Sequence, residues 1–390
     1  MHRLSPSLLS GPTDSVRPSL SVEPSQSSDP SESADPSQSV DPSLSAGSSQ
    51  SADPSASARP SQSAMTSRPT TPSVILAGPT ASGKSALAMA LAKRLQAEII
   101  SVDSRQCYRR LDIGTAKPSP EDLTTVPHHN ISVLDPDQPD NAMAFYRRAQ
   151  KAADEIRSRD RMVLYAGGST LHLQSLITPL NNLPESSPEN LALLQQELER
   201  DGVDALFAKL QVADPKYAAH IDPKNPRRLM RALDVWMQTG RPFSSFHDQH
   251  MQADPPDGLL IFALHHPRKT LHARIEERCE QMLDQGLIHE TESLLADGYS
   301  PDLQAFQTVG YRQVIAYLAG DLSRDQMVQD FKTATRRYAK RQITWLRRWP
   351  FVKWLDADAF GSEALEEQVM QEIHLHQKFT STKRSTPCSS

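Results

Sequence analysis

Residues 78–85 carry the full spacing of a phosphate-binding loop, Gly-x-x-x-x-Gly-Lys-Ser. In such a loop the glycines let backbone N–H groups turn toward a phosphate, and the following helix adds the positive end of its dipole. Lys84 supplies a mobile charge, and Ser85 offers a hydroxyl to Mg²⁺. The pattern predicts a phosphorylated ligand, ATP or another. The candidate ligand-binding residues are Gly78, Pro79, Thr80, Ala81, Ser82, Gly83, Lys84 and Ser85.

Asp103 ends the strand-like run 98–103. The carboxyl ends of parallel strands face the ligand crevice, so this carboxylate should lie beside the phosphate loop. It could act as a general base or as an outer-sphere partner of Mg²⁺, and spacing alone does not separate these roles. The later run 162–166 is followed by Gly-Gly, without the acid that a nucleotide hydrolase would keep for its metal.

Three further loop segments are weaker signals. Residues 112–118 read Asp-Ile-Gly-Thr-Ala-Lys-Pro and residues 126–129 read Val-Pro-His-His, and we interpret the adjacent histidines as a satisfied turn. Residues 167–170, Gly-Gly-Ser-Thr, are typical of a strand-to-helix turn whose open backbone can approach a ligand.

Segment 331–355 contains eight basic residues, no acidic residue and interleaved aromatic side chains. A solvated surface normally mixes charge signs, so a single sign with aromatics favours a nucleic-acid backbone and unstacked bases over a plain surface. Helical spacing predicts a buried seam of Ala339, Ile343 and Leu346. A second basic patch, 224–231, begins a helix further upstream. The cations of the first segment are Lys332, Arg336, Arg337, Lys340, Arg341, Arg347, Arg348 and Lys353, and its aromatics include Tyr338, Trp345, Trp349 and Trp354.

Short apolar runs alternate with helical patterns along residues 74–166, which predicts a parallel sheet with helices on both faces. The predicted strands are 74–77, 98–103, 130–134, 162–166 and 259–264, and the predicted helices include 86–95 and 142–158. Residues 180–257 show helical patterns alone, and 269–349 are helical with breaks near Gly286, Gly298 and Gly320. The fold class is therefore α/β, a P-loop NTPase-like parallel core with an inserted helical subdomain.

Residues 1–64 hold 22 Ser and 9 Pro, most of the prolines six residues apart, and no Phe, Trp or Tyr. Such a segment cannot bury a core. We interpret it as a neutral hexapeptide repeat, or as upstream sequence before a true start at Met65, rather than as a spacer or a phosphorylatable tail. Outside it, 39 basic residues face 40 acidic ones. The three cysteines show no metal or disulfide spacing.

The predicted layout has four parts. Residues 1–66 form a disordered tail, residues 73–180 and 258–357 form the catalytic core, residues 181–257 form the helical insertion, and residues 358–390 form a C-terminal helix and tail. Neither a signal-peptide core near Met1 nor a run of 18 apolar residues occurs, which predicts a cytoplasmic protein without membrane spans.

Taken in order, residues 78–85, 102–106, 112–118, 227–233, 309–312 and 340–347 resemble bacterial tRNA dimethylallyltransferases, and the resemblance spans about residues 74–355. It implies transfer of the dimethylallyl group of dimethylallyl diphosphate to N6 of the adenosine 3′-adjacent to the anticodon of tRNA, with release of diphosphate. It also implies a cytoplasmic monomer that uses Mg²⁺.

The resemblance assigns roles residue by residue. Asp103 would accept the proton of the amine, whereas Lys84, Ser85 through Mg²⁺, and Arg278 would neutralise the diphosphate; Ser169 keeps a hydroxyl near them and completes the catalytic candidates. The residues implied to contact tRNA are Asp103, Ser104, Arg105, Gln106, Arg227, Arg228, Leu229, Met230, Arg231, Gln307, Thr308, Val309, Gly310, Tyr311, Arg312, Lys340, Arg341, Gln342, Ile343, Thr344, Trp345, Leu346 and Arg347.

Two positions depart from the family pattern. His172 stands where a Tyr is usual, and Leu191 stands where an Arg is frequent, so one tRNA contact is expected to be absent. Two other functions remain open from the residues alone. One is a nucleotide or metabolite kinase, which does not account for the basic aromatic segment. The other is an ATP-driven RNA-binding module without covalent chemistry.

Overall fold

The described residues of this computed structural model are 72–178, 183–246 and 255–384, and they contain one sheet of six parallel strands. The strand order across the sheet is β3-β2-β4-β1-β5-β6. The strands are β1 (Ser73–Ala77), β2 (Ala97–Val102), β3 (His128–His129), β4 (Met162–Gly167), β5 (Leu259–His265) and β6 (Lys353–Asp356).

Twelve α-helices occur in the same ranges, together with two short 3₁₀ turns at Phe243–Phe246 and Gln304–Gln307. Helix α5 is broken at Gly202, whose φ of 83° no α-helix accommodates. The helices are α1 (Lys84–Leu95), α2 (Pro120–Thr125), α3 (Ala142–Ser158), α4 (Thr170–Ile177), α5 (Pro188–Ala213), α6 (Pro215–Ala218), α7 (Pro226–Thr239), α8 (Arg268–Asp284), α9 (Leu287–Ala296), α10 (Tyr311–Leu318), α11 (Arg324–Leu346) and α12 (Ser362–Arg384).

Strand β1 lies inside the sheet between β4 and β5, and every one of its residues is buried. Parallel strands covered on both faces are apolar throughout, as the run Val74 to Ala77 is. Leu76 packs with residues of α1 and α12 on one face, whereas Ile75 packs with residues of α3 and α4 on the other. The predicted α/β class, with helices on both faces, is confirmed.

Most predicted elements are confirmed to within two residues, but the strand predicted at 130–134 is wrong. Asn130 and Ser132 adopt φ values of 63° and 51°, and such left-handed residues interrupt an extended strand. The strand lies two residues earlier instead, at β3, and Leu134 makes only an isolated bridge to Tyr108.

The adjacent histidines therefore form an edge strand and not the turn that the sequence indicated. His129 Nε2 lies 2.8 Å from Glu98 Oε2, and His128 Nδ1 lies 2.8 Å from the Val126 carbonyl oxygen. Arg159 also donates to the Glu98 carboxylate, and its hydrogen bond is the main reason that the pKa of Glu98 is lowered. Both histidines are satisfied by structural contacts.

The C-terminal basic segment was predicted as one helix through Trp349, and this is also wrong at its end. Helix α11 stops at Leu346, because Pro350 cannot continue it, and the chain then pairs Lys353–Asp356 with β5. Strand β6 has only four residues and lies at the sheet edge, so its alternation was too short to detect.

Between α4 and β5 the described residues 183–246 form helices and one 3₁₀ turn. They have a hydrophobic core of their own, which includes Leu206, Leu210, Leu229 and Leu233. The predicted tail 1–66 with Met65, the residues 181, 182 and 247–254 of the predicted insertion, and the end of the chain at 385–390 lie outside the described residues. None of the helices in the described part of the chain is long and apolar enough to span a membrane.

We expect Gly167→Ala to destabilise the fold, because a Cβ at this position would lie 2.1 Å from the backbone oxygen of Val102 on the neighbouring strand. The backbone of the neighbouring strand cannot shift without a cost in folding free energy, and overpacking of this kind destabilises a protein by roughly 1–3 kcal/mol. Urea unfolding of the full chain should show a lower midpoint. Gly361→Ala is the matched control, because nothing lies within 4 Å of its Cβ position. Equal midpoints for the two variants would contradict the close approach.

Candidate active site

The phosphate loop connects β1 to α1 at the carboxyl edge of the sheet. Gly83 precedes the helix with a φ of 86°, which only glycine adopts without strain. No side chain caps the amino end of α1, so its first N–H groups have neither an intrahelical partner nor a capping side chain. These donors and the helix dipole suit a phosphate group at the amino end of α1.

Lys84 is half-buried and bends back over the loop, where its Nζ donates to the Pro79 carbonyl oxygen at 3.2 Å. Burial is the main cause that lowers the pKa of Lys84 to about 8, and the nearby Arg278 guanidinium lowers it further. The Asp103 carboxylate acts in the opposite direction. A polyanion beside Lys84 would restore its full positive charge.

Arg278 projects from α8 toward the same loop. Its Nε is buried and has no hydrogen-bond partner in the described part of the chain. Burial lowers the pKa of Arg278, and the facing Asp103 opposes this. A partly buried guanidinium with an unpaired N–H is costly unless an anion completes it. The arrangement therefore favours an anionic ligand beside Lys84.

Asp103 follows the last residue of β2, as expected, and lies beside the phosphate loop. Its Oδ1 accepts hydrogen bonds from the backbone N–H groups of Arg105, at 2.8 Å, and Gln106, at 3.3 Å. These bonds fix the carboxylate, while Oδ2 accepts none within the described ranges. Oδ2 is thus available to receive a proton from a ligand.

These groups line a single cavity of about 270 Å³ that combines a charged part with an apolar part. Apolar and aromatic side chains from α8, from α11 and from the loop before α10 contribute its other walls. Such a cavity suits a ligand with a phosphorylated group and a small hydrocarbon group. The lining residues include Thr80, Lys84, Ser85, Asp103, Ser104, Arg105, Gln106, Arg278, Met282, Gln307, Thr308, Val309, Phe331, Thr335, Tyr338, Arg341 and Gln342.

Glu290 of α9 holds the second loop in place, although nothing in the sequence singled it out. Its Oε2 accepts from the backbone N–H groups of Asp112 and Ile113, both at 2.9 Å, and its Oε1 accepts from the Tyr311 hydroxyl at 2.5 Å. Tyr311 is fully buried, and the contact with tRNA that the resemblance implies for it stays a prediction. Gly310 is also buried, whereas Arg312 is exposed.

Helix α11 buries Ala339, Gln342 and Leu346 along one side, whereas the predicted seam residue Ile343 is half-buried. Gln342 and Leu346 therefore do not present their side chains to solvent as a tRNA surface would require. The neighbouring positions that are exposed or half-buried are Lys340, Arg341, Ile343, Thr344, Trp345 and Arg347.

The structure neutralises part of the basic segment. Lys332 pairs with Glu280 at 2.7 Å, Arg336 pairs with Glu276 at 2.6 Å, and Lys353 pairs with Glu372. The acids come from α8 and α12, so the segment itself gave no sign of them. The basic residues of this segment that remain exposed, and so can contact another molecule, are Arg337, Lys340, Arg341, Arg347 and Arg348.

In the insertion too, some of the predicted tRNA-binding residues are exposed and others are buried or paired within the protein. Arg227 and Arg228 are exposed, Met230 is half-buried and Leu229 is in the core of the insertion. Arg231 donates to the Asp234 carboxylate at 2.8 Å and to the Ser186 hydroxyl at 3.1 Å. Arg231 thus has internal partners that hold the start of the insertion.

Ser169 does not line the cavity. It is buried at the start of α4, and its N–H donates to the Val102 carbonyl oxygen at 3.2 Å. His172 is buried too and stacks on Phe145 with 4.2 Å between ring centroids. Burial lowers the pKa of His172 to about 4, so the ring is neutral. The departure from the family pattern at position 172 therefore affects the core behind the cavity.

Three side chains from distant elements contact the phosphate loop, and sequence reasoning assigned none of them to it. Arg274 Nε donates to the Ala81 carbonyl oxygen at 2.9 Å, and Gln342 Oε1 accepts from the Thr80 N–H at 3.0 Å. His266 lies 2.9 Å from the Ser82 carbonyl oxygen and 2.5 Å from Asp358 Oδ1. Arg274 precedes Arg278 by one helical turn, which was the only available signal.

A magnesium ion fits this site only where phosphate oxygens of the ligand help to bind it. Among the described residues no group of three His, Cys, Asp or Glu side chains could hold a metal ion. Ser85 is exposed at the cavity, and Mg²⁺ prefers to keep waters and to bind phosphates. The donor set is therefore compatible with Mg²⁺ held by Ser85 and phosphate oxygens.

Comparisons with known proteins agree on one family. The IPP transferase family model matches residues 106–349. A tRNA dimethylallyltransferase of Thioalkalivibrio sulfidiphilus is 44% identical over 300 residues, covering 76% of this chain and 94% of the relative. A relative named tRNA dimethylallyltransferase 1 from Citrifermentans bemidjiense is 42% identical over 283 residues, covering 73% of this chain and 91% of the relative.

Solved structures give the same result. The tRNA isopentenylpyrophosphate transferase of Bacillus halodurans has a TM-score of 0.58 and 34% identity, covering 80% of this chain and 99% of that one. A eukaryotic dimethylallyltransferase, described as acting on tRNA, has a TM-score of 0.67 at 24% identity, covering 82% of this chain and 81% of its own. The second likeness shows a shared fold.

We expect diphosphate binding to weaken as the pH rises through about 8, because Lys84 then loses the proton that its interaction with an anion requires. Lys84→Met should lower affinity roughly 10- to 100-fold, as expected for loss of a hydrogen bond to a charged group. It should also remove the part of the pH dependence centred near pH 8. Calorimetric titration from pH 6.5 to 9.5 measures both effects.

Lys93→Met is the matched control, since Lys93 is exposed on the same helix. The pH dependence that comes from diphosphate itself is common to all three proteins and cancels in the comparison. Identical pH profiles for the wild type and Lys84→Met would contradict the assignment.

Proposed function

The chain belongs to the IPP transferase family, and from that premise we propose that it transfers the dimethylallyl group of dimethylallyl diphosphate to N6 of the adenosine 3′-adjacent to the anticodon of tRNA. One observation carries the proposal. A single cavity joins two unneutralised cations of a phosphate site, Lys84 and Arg278, to a fixed carboxylate and an apolar wall.

The diphosphate would lie against the amino end of α1, with Lys84 and Arg278 as its counter-charges. As the bond between the allylic carbon and the diphosphate oxygen breaks, both electrons of that bond go to the diphosphate. Preorganised cations and N–H donors stabilise this developing charge, and one such donor is worth roughly 100- to 1,000-fold in rate. When bound, Mg²⁺ would add positive charge at the same oxygens.

The dimethylallyl group would pack against the apolar lining, which includes Met282, Val309 and Phe331. The adenine N6 forms the new bond to the allylic carbon and loses one proton. Asp103 would accept that proton, because two backbone N–H groups hold Oδ1 and Oδ2 has no hydrogen-bond partner among the described residues. The outer-sphere metal role remains the alternative for Asp103.

The target base must leave the anticodon stack to enter the cavity, at a cost of a few kcal/mol, roughly. The exposed cations Lys340 and Arg341 on α11, Arg347 directly after it, and Arg227 and Arg228 on α7 would offset this cost through contacts to phosphates. Arg341 both lines the cavity and lies over the Tyr338 ring, 5.7 Å from its centroid. This position suits a contact beside the flipped nucleotide. We further propose that the enzyme acts as a cytoplasmic monomer.

We expect Asp103→Asn to suppress product formation by roughly 100- to 10,000-fold, the usual contribution of a general base. The amide keeps the two backbone hydrogen bonds at Oδ1, so tRNA affinity should change little. The assay incubates the full chain with dimethylallyl diphosphate, Mg²⁺ and unmodified tRNA, followed by mass analysis of nucleosides. A parallel reaction with ATP in place of the prenyl donor tests kinase or ATPase activity.

An added prenyl mass on adenosine from the first reaction alone supports the proposal. ATP consumption without any prenyl product would instead indicate a kinase or an RNA-stimulated ATPase. A near-wild-type rate for Asp103→Asn would remove this residue from proton transfer.

We expect Lys340→Ala to weaken tRNA binding and to reduce the slope of log affinity against log salt by roughly 0.7–0.9, the value for one lost phosphate contact. Lys332→Ala is the matched control on the same helix, because Lys332 is already paired with Glu280. Its slope should stay close to that of the wild type. Equal slopes for Lys340→Ala and the wild type would exclude this lysine as a backbone contact.

A further inference from the structure

A second cavity, which we call the basic groove, lies beside helix α11. Its volume is about 500 Å³, and no described residue lines both the groove and the active-site cavity. The end of β5, the start of α8 and the second half of α11 form its walls. Its described lining contains no Asp or Glu, and it contains five Arg or Lys side chains: Arg268, Arg336, Arg337, Lys340 and Arg347.

Most of this positive charge is not neutralised within the described residues. Arg336 pairs with Glu276 at 2.6 Å. The other four basic side chains are exposed and form no ion pair with a described residue. A concave surface that carries charges of one sign concentrates the electric field and attracts ions of the opposite sign. The groove therefore suits an anionic ligand.

Helix α11 separates the basic groove from the active-site cavity. Tyr338 and Gln342 line the cavity, whereas Lys340 and Thr344 line the groove. Residues two positions apart on an α-helix point in directions that differ by about 200°. The groove thus lies on the opposite side of α11, about one helix width or 10 Å from the cavity.

The unpaired charges of the groove are spread along the helix and not gathered at one point. Arg337 and Arg347 are separated by about 15 Å along the axis, at a rise of 1.5 Å per residue. A single phosphate or diphosphate group would contact only part of this length. A nucleic-acid backbone, which has a phosphate at every nucleotide, can contact several of these cations in turn.

The groove is also continuous with the surface that leads into the active-site cavity. Arg341 lines the cavity, and the adjacent Lys340 lines the groove. Both side chains are exposed. An RNA strand whose target base enters the cavity would pass Arg341 and reach Lys340 across the exposed side of α11. Because a helix width separates the two sites, the phosphates in the groove would belong to nucleotides that flank the target.

We propose that the basic groove binds backbone phosphates of tRNA nucleotides that flank the target adenosine, and that Arg268 and Arg337 are two of the contacts. The inference rests on the proposed function, because it takes tRNA as the substrate. It extends the RNA-binding surface from α11 to the start of α8, where no sequence motif singled out Arg268. Such contacts hold the RNA in register with the cavity without reading its base sequence.

The test measures binding of an unmodified anticodon stem-loop RNA to the full chain by fluorescence anisotropy over a series of salt concentrations. Arg268→Ala and Arg337→Ala should each weaken binding and reduce the slope of log affinity against log salt by roughly 0.7–0.9, the value for one lost phosphate contact. Lys269→Ala is the matched control, because Lys269 is exposed beside Arg268 but does not line the groove. Its slope should equal that of the wild type.

A neutral methylphosphonate, placed at one RNA position after another, locates the contact. At the phosphate that Arg268 contacts, the replacement should weaken binding to the wild type but not to Arg268→Ala, because both changes remove the same interaction. Equal losses for the two proteins at every position would contradict a contact by Arg268. Calorimetry with inorganic diphosphate should give the same affinity for both, since Arg268 does not line the active-site cavity. Thermal unfolding verifies that each variant is folded.

Wild-type salt slopes in both folded arginine variants would overturn the inference. A loss of diphosphate affinity in Arg268→Ala with an unchanged RNA slope would overturn it as well, because the groove would then hold a small anion. Failure of the wild type to bind the stem-loop RNA at all would instead count against the proposed function. The two failures are therefore distinguishable in one set of titrations.

Discussion

Two partly buried cations that face only one carboxylate are the interaction on which the rest of this structure depends. Lys84 and Arg278 both have lowered pKa values, because burial removes water from their charges. Arg278 lowers the pKa of Lys84 further, and the Nε of Arg278 has no hydrogen-bond partner in the described part of the chain. Such an arrangement is unfavourable alone and becomes favourable when a polyanion binds. The arrangement therefore supports the proposed role of these two cations, which is to stabilise the negative charge that develops on a leaving group.

The scaffold keeps that potential in place through contacts that hold the loop from outside. Gln342, Arg274 and His266 bond successive backbone groups at Thr80, Ala81 and Ser82. His266 thereby connects the Ser82 carbonyl oxygen to the Asp358 carboxylate behind the loop. Glu290 holds the second loop in a comparable way.

Ion pairs also determine which basic side chains on the surface of α11 remain unpaired. Lys332 and Arg336 look like their neighbours in the sequence, but acids on α8 neutralise them and fasten α11 to the core. Lys340 and Arg341 remain exposed about one turn after Arg336, and Arg347 is exposed directly after the end of this helix. The ion pairs of Lys332 and Arg336 contribute little to stability, so their main effect is to determine which basic residues of the segment can contact another molecule. A partner with a phosphate backbone would meet the exposed part of α11, next to the cavity.

The sequence alone determined the parallel α/β class, the loop at residues 78–85 and the strand-end position of Asp103, because these depend on local apolar periodicity and on spacing within one segment. It misplaced β3, since two left-handed residues interrupt the apolar run, and it missed β6, since four edge residues carry too little pattern. The tertiary structure decided which members of a basic or polar run face outward. Tyr311, Gln342 and Arg231 were predicted to contact RNA. Tyr311 and Gln342 are held by groups 21 and 262 positions away, and Arg231 is held by the neighbouring carboxylate of Asp234. Such pairings arise only when distant strands and helices meet, and no local pattern of residues encodes them.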